Sequence, residues 1–362
     1  MDGGVRAGSV TAVGPALVIG ANGYLGSHVT RQLVADGQDV RVMVRAGANT
    51  IGIDDLSVTR FVGDIWDDAV LREAMTGCAV VYYCVVDTRG WLKDPAPLFH
   101  TNVEGTRNVL EVACEKDVAA GLQRFVFTSS YATVGRKRGR VATEDDVIVD
   151  GGGTSPIKRL RGLTPYVRSR VQAEDLVMRY VRERGLPAVA MCVSTTYGAG
   201  DFGRTPHGAI IAGAAFGKLP FVMRGIELEA VGIEDAARAL LLAADKGRIG
   251  ERYLISEKMI SNAEVVRIAA EAAGVAAPTR SVPLAMSWAM AVLGSVKARL
   301  KGTDEQMSIG SLRLMRAEAP VDCSKARREL GWQPRPVEES IREAATFWVG
   351  LREARRKSRQ TG

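Results

Sequence analysis

The sequence predicts an α/β fold, in which helices cover both faces of a doubly wound parallel sheet and a smaller C-terminal unit follows. Short apolar runs alternate with helical patterns over the first half of the chain, and a glycine-rich turn follows the first run. The 362 residues correspond to roughly two domains or one large α/β unit. With 46% hydrophobic and 25% charged residues, the composition excludes a disordered chain or a small disulfide framework.

Six apolar runs predict the strands, and the stretches between them have helical periodicity. The predicted strands are Ala16–Gly20, Val40–Val44, Val58–Val62, Val80–Val86, Arg124–Thr128 and Ala188–Val193. The first predicted helix starts near Leu25, and three others cover about 67–77, about 102–118 and Tyr166–Arg184. A capping box of Ser261 and Glu264 predicts the start of a further helix, which ends at Ala273.

The pattern changes along the chain predict four regions. They are a flexible N-terminal arm (1–14), a dinucleotide-binding domain (15–200), a mainly substrate-side domain with segments returning to the first core (201–348), and a basic tail (349–362). The region from Arg136 to Leu163 contains RKRGR and three consecutive glycines, with little apolar periodicity. A loop of this length indicates a functional lid or an insertion.

Composition and charge also indicate where in the cell the protein is located and what kinds of molecule it binds. The three histidines lie far apart and the five cysteines contain no C-x-x-C pair, so we expect no metal site and reduced cysteines in a cytoplasmic protein. The net charge of +7 is partly concentrated in the tail, where we expect a solvated helix end rather than nucleic-acid binding. The apolar stretch Pro283–Val296 is too short to span a bilayer. Helix core, a pocket lining and peripheral membrane contact remain its three interpretations.

The turn between the first strand and the first helix predicts a dinucleotide site of the Rossmann type. Its sequence is G-A-N-G-Y-L-G, and glycines at these positions let the backbone approach a pyrophosphate at a helix N-terminus. We therefore expect the cofactor to contact Gly20, Asn22, Gly23, Tyr24, Leu25 and Gly26.

The end of the second strand favours NADP over NAD. This strand ends in Val44-Arg45 and lacks the acidic residue that binds a ribose 2′-hydroxyl in NAD sites. Arg45 suits a 2′-phosphate, although an NAD site beside a surface arginine remains the alternative. Asp64, after the third strand, is a candidate acceptor for the adenine amino group.

A serine, a tyrosine and a cation form the candidate catalytic group. Ser130 follows the fifth strand, and Tyr166 and Arg170 lie four residues apart, on one face of the predicted long helix. A nearby cation stabilises a phenolate and makes the phenol a usable acid or base, while the serine hydroxyl can bind the same substrate oxygen.

These motifs resemble the extended short-chain dehydrogenases/reductases over residues 15–348, within the NAD-dependent epimerase/dehydratase family. The similarity is greatest to dihydroflavonol reductases, 3β-hydroxysteroid dehydrogenases and hopanoid-associated sugar epimerases. It rests on GANGYLG, VGDI, HTNVEGTRNVLEVA, RFVFTSSYATVG, TPYVRSRVQAED, GIEDAARAL and VDCSKARRELGWQPRP. The resemblance implies that Ser130 positions the substrate oxygen, that Tyr166 is the acid/base and that the protein is a homodimer. It also places Ile65, Val85, Asn102, Tyr166, Arg170 and Val193 on the cofactor side.

Three departures from the family pattern cluster at the nicotinamide end. Arg170 replaces the family lysine, Cys84-Val85-Val86 replaces small alanines, and Val193 replaces a proline. The leading hypothesis is an NADP-dependent oxidoreductase that interconverts a hydroxyl and a ketone on a small, rather apolar substrate resembling a steroid, a flavonoid or a lipid. The alternatives are an epimerase/dehydratase of a nucleotide- or lipid-linked sugar and a cofactor-sensing protein without catalysis.

Overall fold

The structure is a computed structural model that describes residues 14–135, 139–146, 148, 163–301, 304, 312 and 320–361. Side chains are described for these residues except 297–301 and 358–361. Apart from Gly14, the predicted arm lies outside the described residues. So do Arg136, Lys137 and Arg138 of the basic run, and the three glycines at 151–153.

In the part of the chain that the structure describes, twelve strands form three sheets. Their bounds are β1 Ala16–Ile19, β2 Val40–Val44, β3 Thr59–Val62, β4 Val80–Tyr83, β5 Arg124–Ser130, β6 Ala188–Val193, β7 Thr195–Tyr197, β8 Val222–Met223, β9 Glu227–Gly232, β10 Arg252–Ile255, β11 Lys258–Ser261 and β12 Ser281–Val282. The central sheet has seven strands in the order β3-β2-β1-β4-β5-β6-β10, and every neighbouring pair is parallel. The predicted doubly wound parallel sheet is therefore confirmed.

Eleven helices are described between and after these strands. They are α1 Tyr24–Ala35, α2 Asp68–Met75, α3 Ala96–Phe99, α4 Thr106–Ala113, α5 Lys116–Ala119, α6 Pro165–Arg184, α7 Pro206–Ala215, α8 Ile233–Lys246, α9 Asn262–Ala272, α10 Leu284–Lys301 and α11 Val337–Thr361. A π-helical turn, His100–Gly105, joins α3 to α4, and a second one covers Ala326–Leu330. Within the described ranges, no helix has both the length and the apolarity that crossing a membrane requires.

Helices cover both faces of the central sheet, and alternate residues of each strand point to opposite faces. In β1, Ala16 and Val18 pack with α1 and α8, whereas Leu17 and Ile19 pack with α2, α4 and α6. Every residue of β1, β4 and β6 is buried. These strands are therefore continuously apolar rather than alternating, which is the property that the sequence showed.

The second half of the chain builds a smaller sheet and returns to the central one. β9 lies between β7, to which it is parallel, and β11, to which it is antiparallel. A separate apolar core joins this sheet to α7, α9 and α11. In contrast, β10 pairs with β6 at the edge of the central sheet. The predicted boundary at residue 200 stays a prediction.

Most predicted elements are present, with shifted ends. β4 ends at Tyr83, so Cys84–Val86 lie beyond the strand, while β5 continues to Ser130. The stretch predicted as helical over about 102–118 is helical but not one continuous α-helix, because a π-helical turn, α4 and the short α5 occupy this range. The predicted capping serine is confirmed: Ser261 Oγ accepts from the Glu264 N–H at 3.1 Å. Residues 349–361 of the basic tail continue α11.

Candidate active site

The candidate residues converge because the carboxyl ends of parallel strands share one edge of the sheet. Ile19 of β1 pairs with Tyr83 of β4, and Tyr83 pairs with Phe127 of β5. Ser130, at the end of β5, pairs with Val193 at the end of β6. A crevice outside this edge is the usual ligand position in open α/β sheets.

The glycine turn leaves backbone donors free at the start of α1. Gly20 has φ +87°, a conformation that favours glycine, and a Cβ at Gly26 would lie 2.2 Å from the Gly20 carbonyl oxygen. The Gly23 N–H donates to Gly20 O at 3.0 Å, and the Ser27 N–H donates to Gly23 O at 2.9 Å. No described residue accepts from the N–H groups of residues 24–26. These donors and the helix dipole fit an anion such as a pyrophosphate.

The Tyr24 side chain has a structural task instead of a phosphate contact. Its hydroxyl donates to Gly198 O at 2.8 Å, just after β7. Burial and nearby carboxylates, of which Asp201 contributes most, raise the Tyr24 pKa well above its ordinary value. His28, one turn further along α1, makes a second contact through Nε2 to Ala199 O at 3.1 Å. Only the Tyr24 backbone is thus available for the predicted cofactor contact.

Arg45 and Asp64 lie on one cleft at the ends of β2 and β3. The cleft has a volume of about 400 Å³ and is lined by Arg45, Ala46, Gly47, Ala48, Val62, Gly63 and Asp64. Arg45 is exposed, and neither its guanidinium nor the Asp64 carboxylate contacts a partner among the described residues. Gly47, at φ +68°, turns the chain so that the Ala48 N–H donates to Arg45 O at 3.1 Å. One free cation and one free acceptor therefore face the same space.

Ile65 and Val85 form apolar walls on this side of the sheet. Val85 closes on the glycine turn, since a Cβ at Gly20 would lie 3.0 Å from its Cγ2 atom. Ile65 packs against the π-helical turn, where a Cβ at Gly105 would lie 2.4 Å from its Cδ1 atom. Both glycines are required by close approach rather than by a turn alone.

Asn102 is fully buried and its amide is saturated by the protein. Its Oδ1 accepts from the Asp87 N–H at 2.8 Å, while Nδ2 donates to Asp87 O at 2.9 Å and to Ser169 Oγ at 3.0 Å. It therefore fixes the segment after β4 and ties it to α6. On the cofactor side, where it is predicted to lie, Asn102 therefore positions the segment after β4 rather than binding the cofactor directly.

Ser130 and Tyr166 come from β5 and the first turn of α6. Ser130 Oγ accepts from the Ala132 N–H at 3.2 Å, and it donates to no described residue. Tyr166 is half-buried and packs with Ala132 and Val167. Thr164 caps α6, with its hydroxyl accepting from the Val167 N–H at 3.3 Å, and so fixes the helix turn that carries Tyr166.

Arg170 is a buried cation with unused donors. Its side chain has no exposed surface, and its Cζ lies 5.1 Å from the centre of the Phe127 ring. Nη2 donates to Thr128 O, whereas Nε and Nη1 have no partner in the described part of the chain. Buried donors without partners are costly, so they mark a place where a bound molecule can supply acceptors.

Val193 belongs to the core, and the next residue is the polar one. The Val193 side chain packs in the apolar cluster beneath the sheet, which leaves only its backbone for the predicted cofactor contact. Ser194 Oγ is buried and has no partner among the described residues. Sequence reasoning missed Ser194, although a hydroxyl directly after a fully apolar strand, at the ligand edge, was a usable signal.

Sequence reasoning also missed a buried ion pair next to β5, the strand that carries Ser130. Arg252 of β10 and Glu174 of α6 approach to 2.6 Å between Nε and Oε1, and neither side chain exceeds 9% exposure. Glu174 Oε2 accepts from the hydroxyls of Ser129 and Thr133, on either side of Ser130. Arg252 Nη2 also donates to Thr133 Oγ1, at 2.9 Å. The pair thus holds the segment that presents Ser130.

The described residues therefore fit a dinucleotide along the whole edge. Free N–H groups lie at the glycine turn, a free cation lies at one end, and unpartnered buried donors on Arg170 and Ser194 lie at the other. A comparison with protein-family models matches residues 16–256 to the NAD dependent epimerase/dehydratase family. The chain belongs to this family. Its members are NAD(P)-dependent enzymes of the extended short-chain dehydrogenase/reductase type, so the predicted family and enzyme class are confirmed.

Relatives in the family extend over nearly the whole chain. A putative dihydroflavonol 4-reductase from Synechocystis sp. is 29% identical, over 91% of this chain and 93% of its own length. Sterol demethylase protein B from Methylococcus capsulatus is 28% identical, over 92% and 97%. The crystal structure of gox2253 superimposes with a TM-score of 0.78 at 29% identity, covering 93% of this chain and 98% of that one.

Proposed function

We propose that this protein is an NADP-dependent oxidoreductase that interconverts a hydroxyl and a ketone on a small, rather apolar substrate. The observation that carries the proposal is the group at the ends of β5 and β6. A free hydroxyl donor on Ser130, a phenol on Tyr166 and a buried cation with unused donors on Arg170 belong to neighbouring elements. Such a group can bind a carbonyl oxygen and exchange its proton.

Each of the three side chains has a separate role in this proposal. Ser130 donates its free proton to the substrate oxygen and so orients the carbonyl. Tyr166 gives its phenolic proton to that oxygen during reduction and takes it back during oxidation. The nicotinamide supplies or accepts the hydride when the cofactor is bound. Asn102 acts at a distance, because it holds the Asp87 segment and α6 in register.

Arg170 holds a fixed positive charge beside the reacting groups. A guanidinium stays protonated over the whole working pH range. Its Nε and Nη1 are free to donate to ribose hydroxyls, and its charge favours a phenolate on Tyr166. A lysine would bring one compact charge in place of a planar fork, so the two residues are not equivalent here. The buried, unpartnered state of Arg170 favours a working site over a drifted one.

The cofactor preference rests on the cleft at β2. Arg45 is exposed and free there, no acid ends the strand, and Asp64 faces the same cleft as an acceptor for an amino group. A charge-assisted contact with a 2′-phosphate contributes roughly 1.5–3 kcal/mol. This corresponds to roughly ten- to hundredfold in affinity.

The apolar character of the substrate rests on the relatives and on the chain. The two relatives above are named for a flavonoid reductase and for a sterol demethylase. In this chain the half-buried Trp288 and Met290 lie on α10, and Trp288 packs with Met223 and Ile226. We infer that apolar groups from α10 line the substrate side.

The first experiment tests the catalytic group. We expect Tyr166→Phe to abolish ketone reduction while leaving the cofactor dissociation constant nearly unchanged, because the phenolic proton is needed only as charge develops on the substrate oxygen. Arg170→Ala should weaken cofactor binding and slow single-turnover hydride transfer, and Arg170→Lys should retain part of both. Arg179, an exposed arginine on the same helix, provides the control Arg179→Ala.

The outcomes separate the three hypotheses. Steady NADPH consumption that Tyr166→Phe removes supports the oxidoreductase. Redox-neutral turnover of a nucleotide- or lipid-linked sugar supports an epimerase or a dehydratase instead. Cofactor binding that Arg170→Ala leaves unchanged, with no turnover of any kind, refutes catalysis at this site.

The second experiment tests the cofactor by calorimetric titration with NADP and NAD. We expect NADP to bind at least roughly tenfold more tightly, and Arg45→Gln to remove this difference by weakening NADP alone. Arg60→Gln is the matched control, since Arg60 is a neighbouring arginine that pairs with Asp54. Equal or tighter binding of NAD by the wild type contradicts the preference.

A further inference from the structure

One face of α10 is apolar and exposed to solvent. The described residues include nine large apolar residues that are between 41% and 69% exposed, and four of them lie on this helix: Met286, Val292, Leu293 and Val296. Ala285 and Ala289 are exposed as well. Steps of three or four residues join these positions, so they form one continuous stripe. A contiguous exposed apolar patch marks an interaction surface, whereas scattered single residues do not.

The opposite face of α10 packs against the rest of the protein, so the exposure of the stripe does not arise from a helix that lacks tertiary contacts. Ala291 has no exposed surface and Ser287 has 1%. Ala291 and Trp288 pack with Ile226 and Met223 in a small apolar cluster. The orientation of the helix is therefore fixed by the core, and the core turns the stripe outward.

The charged residues of α10 itself are all basic. From Leu284 to Lys301 the helix contains no aspartate or glutamate, and its last five residues include three basic ones. Arg224 follows β8, and Arg280 precedes β12, the strand that leads into α10: the Arg224 N–H donates to Val282 O, and Arg280 O accepts from the Val222 N–H, both at 3.0 Å. Both arginine side chains are exposed, and neither has a partner among the described residues.

The chain just beyond α10 contacts the segment that follows β4, on the side of the candidate site. Asp304, three residues after α10, accepts from the Lys93 N–H at 2.9 Å through Oδ1. Lys93 belongs to the segment that follows β4, and this segment also contains Val85 and Asp87. The helix is thereby tied to the wall of the crevice.

We propose that the exposed face of α10, together with Arg224 and Arg280, is a docking surface for an anionic phospholipid bilayer. The apolar side chains enter the boundary between head groups and acyl chains, and the unpaired arginines bind the anionic head groups. Because the chain after α10 is tied through Asp304 to the segment that follows β4, docking holds this side of the molecule at the bilayer, where an apolar substrate would be dissolved; this last step rests on the proposed function. The docking surface does not depend on the chemistry at Tyr166, so a chain without reductase activity would still bind vesicles.

Co-sedimentation of the full chain with vesicles tests the proposal. One set contains phosphatidylcholine alone, and the other contains equal parts of phosphatidylcholine and phosphatidylglycerol. We expect binding to the second set, weakened by salt. Met286→Ser/Leu293→Ser should weaken it by roughly tenfold or more, and Arg224→Gln/Arg280→Gln should remove the preference for anionic vesicles. Ile51→Ser/Ile249→Ser, at exposed isoleucines elsewhere, is the matched control.

Three outcomes overturn the proposal. Wild-type protein that stays in the supernatant with both vesicle sets removes the bilayer as the occupant. A loss of binding that the isoleucine control reproduces removes α10 as the surface. A dimer in sedimentation velocity that Met286→Ser/Leu293→Ser dissociates shows instead that a second copy of the chain covers the stripe. Because cofactor titration of the same variants is independent of vesicles, a failure here is distinguishable from a failure of the proposed reaction.

Discussion

The ion pair between Arg252 and Glu174 offers the sharpest test of how the fold holds the candidate site. Arg252→Met removes the cation, keeps an unbranched apolar side chain of similar length and leaves the Glu174 carboxylate buried without its partner. Breaking a buried pair by removing one partner costs roughly 3–5 kcal/mol. Arg252 also donates to Glu144 O at 3.0 Å and to Thr133 Oγ1 at 2.9 Å, so the loss should lie in the upper part of this range.

This loss is large on the scale of the whole molecule, since the free energy of unfolding of a domain is roughly 5–15 kcal/mol. Urea unfolding, monitored by tryptophan fluorescence, measures this loss as a lower urea concentration at the unfolding midpoint, while the dependence of the unfolding free energy on urea concentration stays unchanged. Arg248→Met is the matched control in the same chain segment. The Arg248 side chain is 60% exposed and pairs with Glu251 and Glu329 at the surface. Its removal should therefore change the midpoint very little.

A double-mutant cycle separates the pair from its surroundings. Arg252→Met/Glu174→Leu removes both charges and should recover a large part of the stability that Arg252→Met alone loses. Ser129 and Thr133 then lose their common acceptor, so substrate turnover should stay low even where stability returns. The reasoning is refuted if Arg252→Met lowers the midpoint no more than Arg248→Met does.

Two further predictions concern the glycine turn and a half-buried histidine, His207. Gly26→Ala should weaken NADP binding more than tenfold in calorimetry, because the new Cβ would lie 2.2 Å from Gly20 O. Gly350→Ala is the control, because a Cβ at Gly350 would have no neighbour within 4 Å. Burial lowers the pKa of His207 to about 4. The unfolded chain therefore binds this proton more tightly, and stability should fall by on the order of 3 kcal/mol as the pH drops from about 6.5 to 4. His207→Leu should remove this slope in urea midpoints, unlike the control His100→Gln at an exposed histidine; an unchanged slope contradicts the assignment.

The central sheet could be predicted because its signals are local. Strands buried on both faces must be continuously apolar, and β1, β4 and β6 show this in sequence without any tertiary information. The parallel order then places Gly20, Arg45 and Ser130 at one edge by topology alone. For this reason the sequence alone predicts which edge of the sheet carries the candidate site.

The rest of the site depends on contacts between distant segments. In the sequence, nothing distinguishes Arg252 from any other residue of an apolar strand. Only the packing of β10 beside β6 brings it to Glu174. The predicted end of β4 lies too far along the chain because Val85 and Val86 are apolar like the strand, although the strand ends at Tyr83 and Val85 packs on the glycine turn. The π-helical turn at His100–Gly105 has no periodicity that differs from a helix in sequence.

The contacts of α1 with the segment after β7 have a thermodynamic consequence. Its first turn has donors that fit a pyrophosphate, and on the same helix the Tyr24 hydroxyl and the His28 ring contact the carbonyls of Gly198 and Ala199. Under the proposed function, a dinucleotide bound at this turn stabilises these two contacts as well. By linkage, a change that favours a state without these contacts is expected to weaken cofactor binding, with α1 as the common element.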